Sequence, residues 1–252
     1  RGRLRGWIFY VMQEKYVGDT PDFGKYALLR ALCGPKGGYP SLRLGVNWYL
    51  TIGNEVDPPR NRDGEKRHHA DMPEKFKFVD NDLWNRLDKF QHRQNRTIFG
   101  IEGASVLPRD TIYHSAPLTL SNHKGNEKIK ARDQWVMGGF SRLADADLVF
   151  IDPDNGFECK STKRHHKKGP KYAYYDELLS YIDGQQSLVA IQFMGRQKGG
   201  VPALVDQVSG RIHRDLGYRG PILTIRFRAR STILYFILPT ARHEDIIESR
   251  LD

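Results

Sequence analysis

Leu148-Val-Phe-Ile-Asp-Pro-Asp-Asn-Gly156 decides how the chain is read. Four apolar residues, Leu148 to Ile151, run directly into Asp152, Pro153, Asp154, Asn155 and Gly156. A continuous apolar run closed by Pro and Gly reads as a strand buried on both faces. Pro153 has no N–H to give a ladder and Gly156 permits a positive φ, so the strand stops there. The chain thus delivers two carboxylates and an amide to the carboxyl end of a central strand. In open α/β sheets that end is where ligands bind. An Asx-rich turn that only caps a strand is the plainer reading of the same residues.

Upstream, Ala131–Leu143 is helical in character, with Trp135, Val136, Phe140 and Leu143 apolar and Gly138-Gly139 weakening it. Pro108 to Asn126 reads as irregular. Thr97–Glu102 reads as a short strand ending in an acid, a position that binds ribose hydroxyls in nucleotide-binding sheets. Asp82–Phe90 is a helix with Leu83, Trp84, Leu87 and Phe90 on one face. Ser41–Thr51 alternates Leu42, Leu44, Val46, Trp48 and Leu50 and reads as a strand. Ile52 to Met72 follows it as a loop of roughly 20 residues, a length that marks a functional or disordered segment. It carries Arg60, Arg62, Lys66, Arg67, His68 and His69. The first helix has Asp19 or Thr20 as N-cap and Pro21 at its first position, and it ends at Gly34-Pro35. Asp19, Asp22 and Lys25 gather at its start, where they either complement the helix dipole or line a site. Trp7–Met12 is a short strand candidate, too short for a signal peptide.

Downstream, Phe157 to Pro170 is the most basic segment, with Lys160, Lys163, Arg164, His165, His166, Lys167 and Lys168. A basic loop beside acids suits a phosphate backbone, and a solvated charged loop is the bland alternative. Asp176–Ile182 reads as a helix and Ser187–Met194 as a second buried strand, with Gln192 facing the site. Val201–Leu216 is an amphipathic helix. Pro221–Arg228 and Thr232–Leu238 form a terminal hairpin, with Arg226, Arg228 and Arg230 at period two. Arg242–Arg250 is a closing helix. Strands and helices alternate, so the expected fold is α/β. It is a doubly wound, mostly parallel Rossmann-like sheet with a C-terminal antiparallel hairpin, in one domain over 1–252.

Composition narrows the class. The chain has 252 residues, 39% hydrophobic and 28% charged, which is globular rather than disordered. Forty Lys plus Arg against 30 Asp plus Glu give a net charge of +10. That excess favours a polyanion, most simply DNA or RNA. The two cysteines, Cys33 and Cys159, have no metal-type spacing, and a reducing cytoplasm is expected. No apolar run approaches the roughly 20 residues that span a bilayer.

The order of elements resembles that of Rossmann-type methyltransferases. Their fourth strand carries an Asp-Pro-Pro-Tyr-type motif similar to Leu148–Asn155, and their last two strands form a hairpin. Gly18-Asp19, Asp22 and Lys25-Tyr26 are similar to the leading segment of bacterial rRNA adenine methyltransferases. The chain also resembles a group of prophage and defence-island proteins sharing Lys-Tyr-x-Gly-Asp, Trp-Tyr-Leu-Thr and Asp-Pro-Asp-Asn-Gly. That second resemblance implies phage defence and attaches no activity. The first implies an S-adenosylmethionine-dependent base methyltransferase. Asp152 and Asn155 would then bind the target base, Glu102 the cofactor ribose, and Gly45 and Asn47 would mark the cofactor's path. Lys160, Lys163, Arg164, Lys167, Lys168, Arg226 and Arg228 would hold the nucleic acid. The glycine-rich loop usual after the first strand is replaced by Asn47-Trp-Tyr-Leu-Thr-Ile-Gly53.

Two other classes stay open. Asp152, Asp154, Glu158 and Lys160 are spaced as Pro-Asp-(x3)-Glu-Cys-Lys, which resembles a restriction-type nuclease holding Mg2+ or Mn2+. Asp152, Asp154 and Glu158 would be its metal ligands, completed by Asp19, Asp22 and Glu102 if those converge. The last class is a non-catalytic Rossmann-like nucleic-acid-binding module.

Overall fold

Leu148–Ile151 forms a strand, β3, in which every residue is buried, as a run with no polar face requires. The computed structural model describes residues 17–35, 38–51, 68–91, 96–195, 198–229 and 231–252. The readings placed on Trp7–Met12, Arg60, Arg62, Lys66, Arg67 and Arg230 lie outside these residues.

In chain order the elements are α1 (Thr20–Cys33), β1 (Leu44–Asn47), α2 (His68–Asp71), α3 (Pro73–Lys77), α4 (Asn81–Gln91), α5 (Ile98–Gly103), β2 (Ile112–His114), α6 (Glu127–Arg142) and β3. Two 3-10 turns, Gly169–Lys171 and Tyr175–Leu178, lead into α7 (Leu179–Asp183). Then come β4 (Ser187–Phe193), α8 (Gly200–Asp215), β5 (Leu223–Ala229), β6 (Ser231–Leu238) and α9 (Glu244–Leu251). The six strands form one mixed sheet, ordered β2-β1-β3-β4-β6-β5. β2, β1, β3 and β4 are parallel, whereas β6 runs antiparallel to β4 and to β5.

Helices cover both faces, because alternate strand residues feed two cores. Leu44, Val46, Phe150, Val189, Ile191, Ile233 and Tyr235 pack with Phe23, Tyr26 and Leu29 of α1, Leu87 and Phe90 of α4, and Ile247 of α9. Val149, Ile151, Leu188, Ala190, Leu234 and Phe236 pack with Trp135 of α6, Tyr181 of α7, and Leu204, Val208 and Ile212 of α8.

Several expectations are corrected. Thr97–Glu102 is helix, not strand: the Thr97 side chain caps α5 by accepting the Gly100 N–H at 3.0 Å. β1 is shorter than Ser41–Thr51 and buried throughout, so its alternation carried no exposed face. The segment Pro108 to Asn126, read as irregular, contains the edge strand β2, hidden between Pro108 and Pro117. The loop Ile52 to Met72 is helical from His68 to Asp71. There His69 is buried, and its ring nitrogen Nδ1 lies 3.1 Å from the Thr20 hydroxyl.

Candidate functional site

The strand order turns back between β1 and β3, with β2 lying on one side and β4 on the other. Such a reversal opens a crevice at the carboxyl ends of the two strands. The Asp152 N–H extends the β1–β3 ladder by one bond, to the Asn47 carbonyl at 3.0 Å. Pro153 then ends it, and Gly156 takes φ +83°, as the sequence required.

Asp152 lies on the α1 face of the sheet. Its Oδ2 accepts from Lys25 Nζ at 2.7 Å. The same ammonium donates to Asp22 Oδ1 at 2.9 Å. Asp22 Oδ2 also accepts from the Gly18 N–H at 2.8 Å and the Tyr26 hydroxyl at 3.1 Å. Asp19 caps α1, its carboxylate accepting the Asp22 N–H at 3.2 Å. An N-cap with Pro21 behind it is what brings these groups over the end of β3. Lys25 also lies 5.8–5.9 Å from the ring centres of Tyr26, Trp48 and Phe150. Asp19, Lys25 and Asp152 are all buried.

Two carboxylates, Asp22 and Asp152, thus hold one largely buried ammonium. Burial raises the Asp152 carboxyl to about 6, since the pull of Lys25 is offset by the like charges of Asp22 and Asp154. Burial works against the Lys25 ammonium, but Asp152 and Asp22 hold it well above its ordinary value. Lys25 is therefore a fixed cation and no nucleophile, whereas Asp152 can exchange a proton near neutrality. Tyr235, on β6, adds a buried hydroxyl with no hydrogen-bond partner among the described residues. It feels the charges of Lys25, Asp152, Asp22 and Asp19.

The remaining expected site residues do not gather here. Asp154 is half-buried, 3.5 Å from Lys171 Nζ. The Asn155 N–H donates to the Lys171 carbonyl at 2.9 Å. Glu158 turns away to Arg211 of α8 at 2.9 Å, and Lys160 is exposed. The Asp152/Asp154/Glu158 set is thus not brought together, and among the described residues no three His, Cys, Asp or Glu side chains could hold a metal ion. Gln192 supports the turn from behind: its Oε1 accepts the Phe157 N–H at 2.8 Å.

The residues named for S-adenosylmethionine do not fit it. A Cβ on Gly45 would stand 2.8 Å from Ala146 Cβ, so this glycine admits the α6–β3 connection rather than a ligand. Asn47 is buried against α6. Its Oδ1 lies 3.2 Å from His114 Nδ1, and its Nδ2 donates to the Tyr181 hydroxyl at 3.2 Å. Glu102 Oε1 accepts from Trp48 Nε1 at 2.9 Å and from the Ser115 hydroxyl at 2.5 Å. All three serve packing or internal hydrogen bonds.

The basic segment does form a surface. Lys160, Lys163, His165, His166, Lys167 and Lys168 are exposed, and Arg164 is half-buried. Arg226 and Arg228 are exposed on the edge strand β5. Lys25 and Tyr235 are the residues sequence reading underweighted. The spacing Asp22-x-x-Lys25 on one helical turn was the available signal for the first; nothing in the sequence marked the second.

Comparison with protein-family models, with curated proteins and with solved structures returns no match. No helix among the described residues is long and apolar enough to cross a membrane.

Proposed function

We propose that the protein is a nucleic-acid-acting enzyme, built on a doubly wound sheet of methyltransferase-like order. One observation carries this reading. The reversal between β1 and β3 lies beside a buried Lys25–Asp152–Asp22 centre, and an antiparallel hairpin closes the same sheet. The exposed lysines of the 160–168 loop, with Arg226 and Arg228, supply the positive surface for phosphates.

In this reading Lys25 fixes the Asp152 carboxyl through Oδ2. Asp152, with Asn155 in the adjoining turn, receives an exocyclic amino group of a base. Its ionised carboxylate accepts a hydrogen bond from that group. S-adenosylmethionine would supply a methyl group, but Gly45, Asn47 and Glu102 offer it no cradle, so no step is assigned to it. The Mg2+ or Mn2+ nuclease reading has less support, because Glu158 is committed to Arg211.

The test is incubation with DNA and RNA, once with methyl-labelled S-adenosylmethionine and once with Mg2+ or Mn2+. Chemical change in the nucleic acid, lost in Asp152→Ala with an unchanged circular dichroism spectrum, is the expected result, and methyl label in the product would assign it to transfer from a cofactor seated elsewhere than at Gly45, Asn47 and Glu102. Strand cleavage with metal and no label hands the case to the nuclease. An Asp152→Ala variant with full activity removes Asp152 from the site. Nucleic-acid binding with neither reaction leaves a binding module.

A further inference from the structure

The turn after Glu158 folds into a pocket of its own. A cavity of about 420 Å3 is lined by Cys159, Lys160, Thr162, Lys163, Arg164 and His165. Its floor is Tyr174, which is 3% exposed, and Ile129 of α6 forms part of the wall. The loop around it is built rather than draped. The Thr162 N–H bonds the Cys159 carbonyl at 3.2 Å, and the His166 N–H bonds the Lys163 carbonyl at 2.9 Å. The Tyr174 hydroxyl donates to the Thr162 carbonyl at 3.0 Å. Arg164 is clamped by Asp176 and lies 5.2 Å from the Tyr174 ring centre. Gly169 closes the loop where no side chain fits, since a Cβ there would stand 2.3 Å from the Arg164 carbonyl oxygen.

The charges of the pocket are unequal in availability. Its one acid, Glu158, is taken by Arg211, and Arg164 is taken by Asp176. Lys160 and Lys163 line the pocket and form no ion pair with a described carboxylate, so two ammonium groups at its wall are unneutralised. Two cations, a histidine ring and the Thr162 hydroxyl around a closed floor match a group with two negative charges and three acceptor oxygens. That describes a phosphate monoester, with a charge of roughly −1.5 to −2 at neutral pH. An internal phosphodiester carries one charge and would leave one of the two ammonium groups without a counter-charge.

We propose that this pocket binds a phosphate monoester, carried by the end of a nucleic-acid strand or by a free nucleotide. The inference rests on the nucleic-acid reading above and specifies which part of the ligand the basic loop recognises.

Cys159 makes the site readable. Its thiol is exposed, whereas Cys33 is buried and serves as an internal control. Burial alone would raise the Cys159 thiol, but hydrogen bonds from Ser161, Thr162 and Tyr172 hold it below its ordinary value. It therefore alkylates readily, and a ligand seated beside it slows that reaction. The experiment follows Cys159 alkylation by iodoacetamide, read by mass spectrometry on the full chain. Competitors are a 5′-phosphorylated oligonucleotide, the same oligonucleotide with a 5′-hydroxyl, a nucleoside monophosphate and inorganic phosphate.

The 5′-phosphorylated strand is expected to slow alkylation at least fivefold more than its 5′-hydroxyl twin. A Lys160→Ala/Lys163→Ala variant is expected to lose that difference. Equal protection by the nucleoside monophosphate identifies a free nucleotide as the source, and protection by the strand alone identifies a strand end. Equal protection by the phosphate and hydroxyl strands, or none by any competitor, overturns the proposal. Methyl transfer or cleavage is scored separately, so the enzymatic reading can fail while the pocket stands, and the reverse.

Discussion

Asp152 titrates in the unusual direction for a carboxyl beside a lysine. A surface pair would hold the acid low. Here burial comes first, and Asp22 shares the same ammonium, so the folded-state value rises from 3.8 to about 6. The folded chain therefore binds the Asp152 proton more tightly than the unfolded chain does. Stability from this group is fullest at acid pH, declines as pH rises from 3.8 to about 6, and is level above that. Asp152→Asn removes this descent. Urea midpoints measured between pH 4 and pH 7 should fall less steeply for Asp152→Asn than for the wild type. Parallel curves would mean that Asp152 is ionised as an ordinary carboxylate.

Arg132 of α6 and Glu177 join elements through a second buried charge pair. Their side chains are 0% and 4% exposed, with Nε 2.5 Å from Oε1. Arg132 also donates to the Tyr172 carbonyl at 2.7 Å, and the Tyr49 hydroxyl donates to Glu177 at 3.3 Å. Tyr49 follows β1 with φ +49°, a left-handed backbone that a bulky residue adopts only when its surroundings hold it. The pair thus fixes α6, the exit of β1 and the turn before α7 together. Removing one partner of a buried pair costs on the order of 3–5 kcal/mol, because the other charge stays buried alone. Glu177→Gln and Arg132→Leu should each lower unfolding free energy by about that much. Arg132→Leu/Glu177→Leu should recover a large part of it in the same urea titration. Near-additive losses in the double variant would show that the two side chains are not coupled.

The whole molecule carries a net charge of +10, yet the carboxyl end of β3 holds Asp22 and Asp152 around one lysine, with Asp19 capping the helix beside them. Among the described residues, exposed positive charge gathers on the 160–168 loop, and Arg226 and Arg228 add more on the β5 edge. A polyanion would therefore be attracted to these exposed lysines and arginines rather than to the carboxylates around Lys25. Its affinity should fall with salt, with a log–log slope of about −0.9 per neutralised phosphate on duplex DNA. Lys167→Ala/Lys168→Ala should flatten that slope by about 0.9 for each phosphate these lysines neutralise, measured by fluorescence anisotropy across salt concentrations. An unchanged slope would place the nucleic acid on another face.

The sequence by itself determined the buried strand at Leu148–Ile151 and its stop at Pro153. It also determined the capped start of α1 and the closing hairpin with its exposed Arg226 and Arg228. Each rests on local rules: an apolar run, a missing N–H, an Asx cap, a period of two. β2 and α5 escaped those rules. Three residues are too few to show a period of two, and the six residues of α5 are too few to show a helical one, although the Thr97 cap was a local signal. The roles of Gly45, Asn47 and Glu102 were decided in three dimensions, where each meets a partner distant in sequence: Ala146, Tyr181 and Trp48. The same holds at the candidate site. Lys25 and Asp152 are 127 residues apart, and no local spacing joins them. Only the register of β1 against β3, with α1 laid across that face of the sheet, brings one ammonium between two carboxylates and lifts Asp152 toward neutrality.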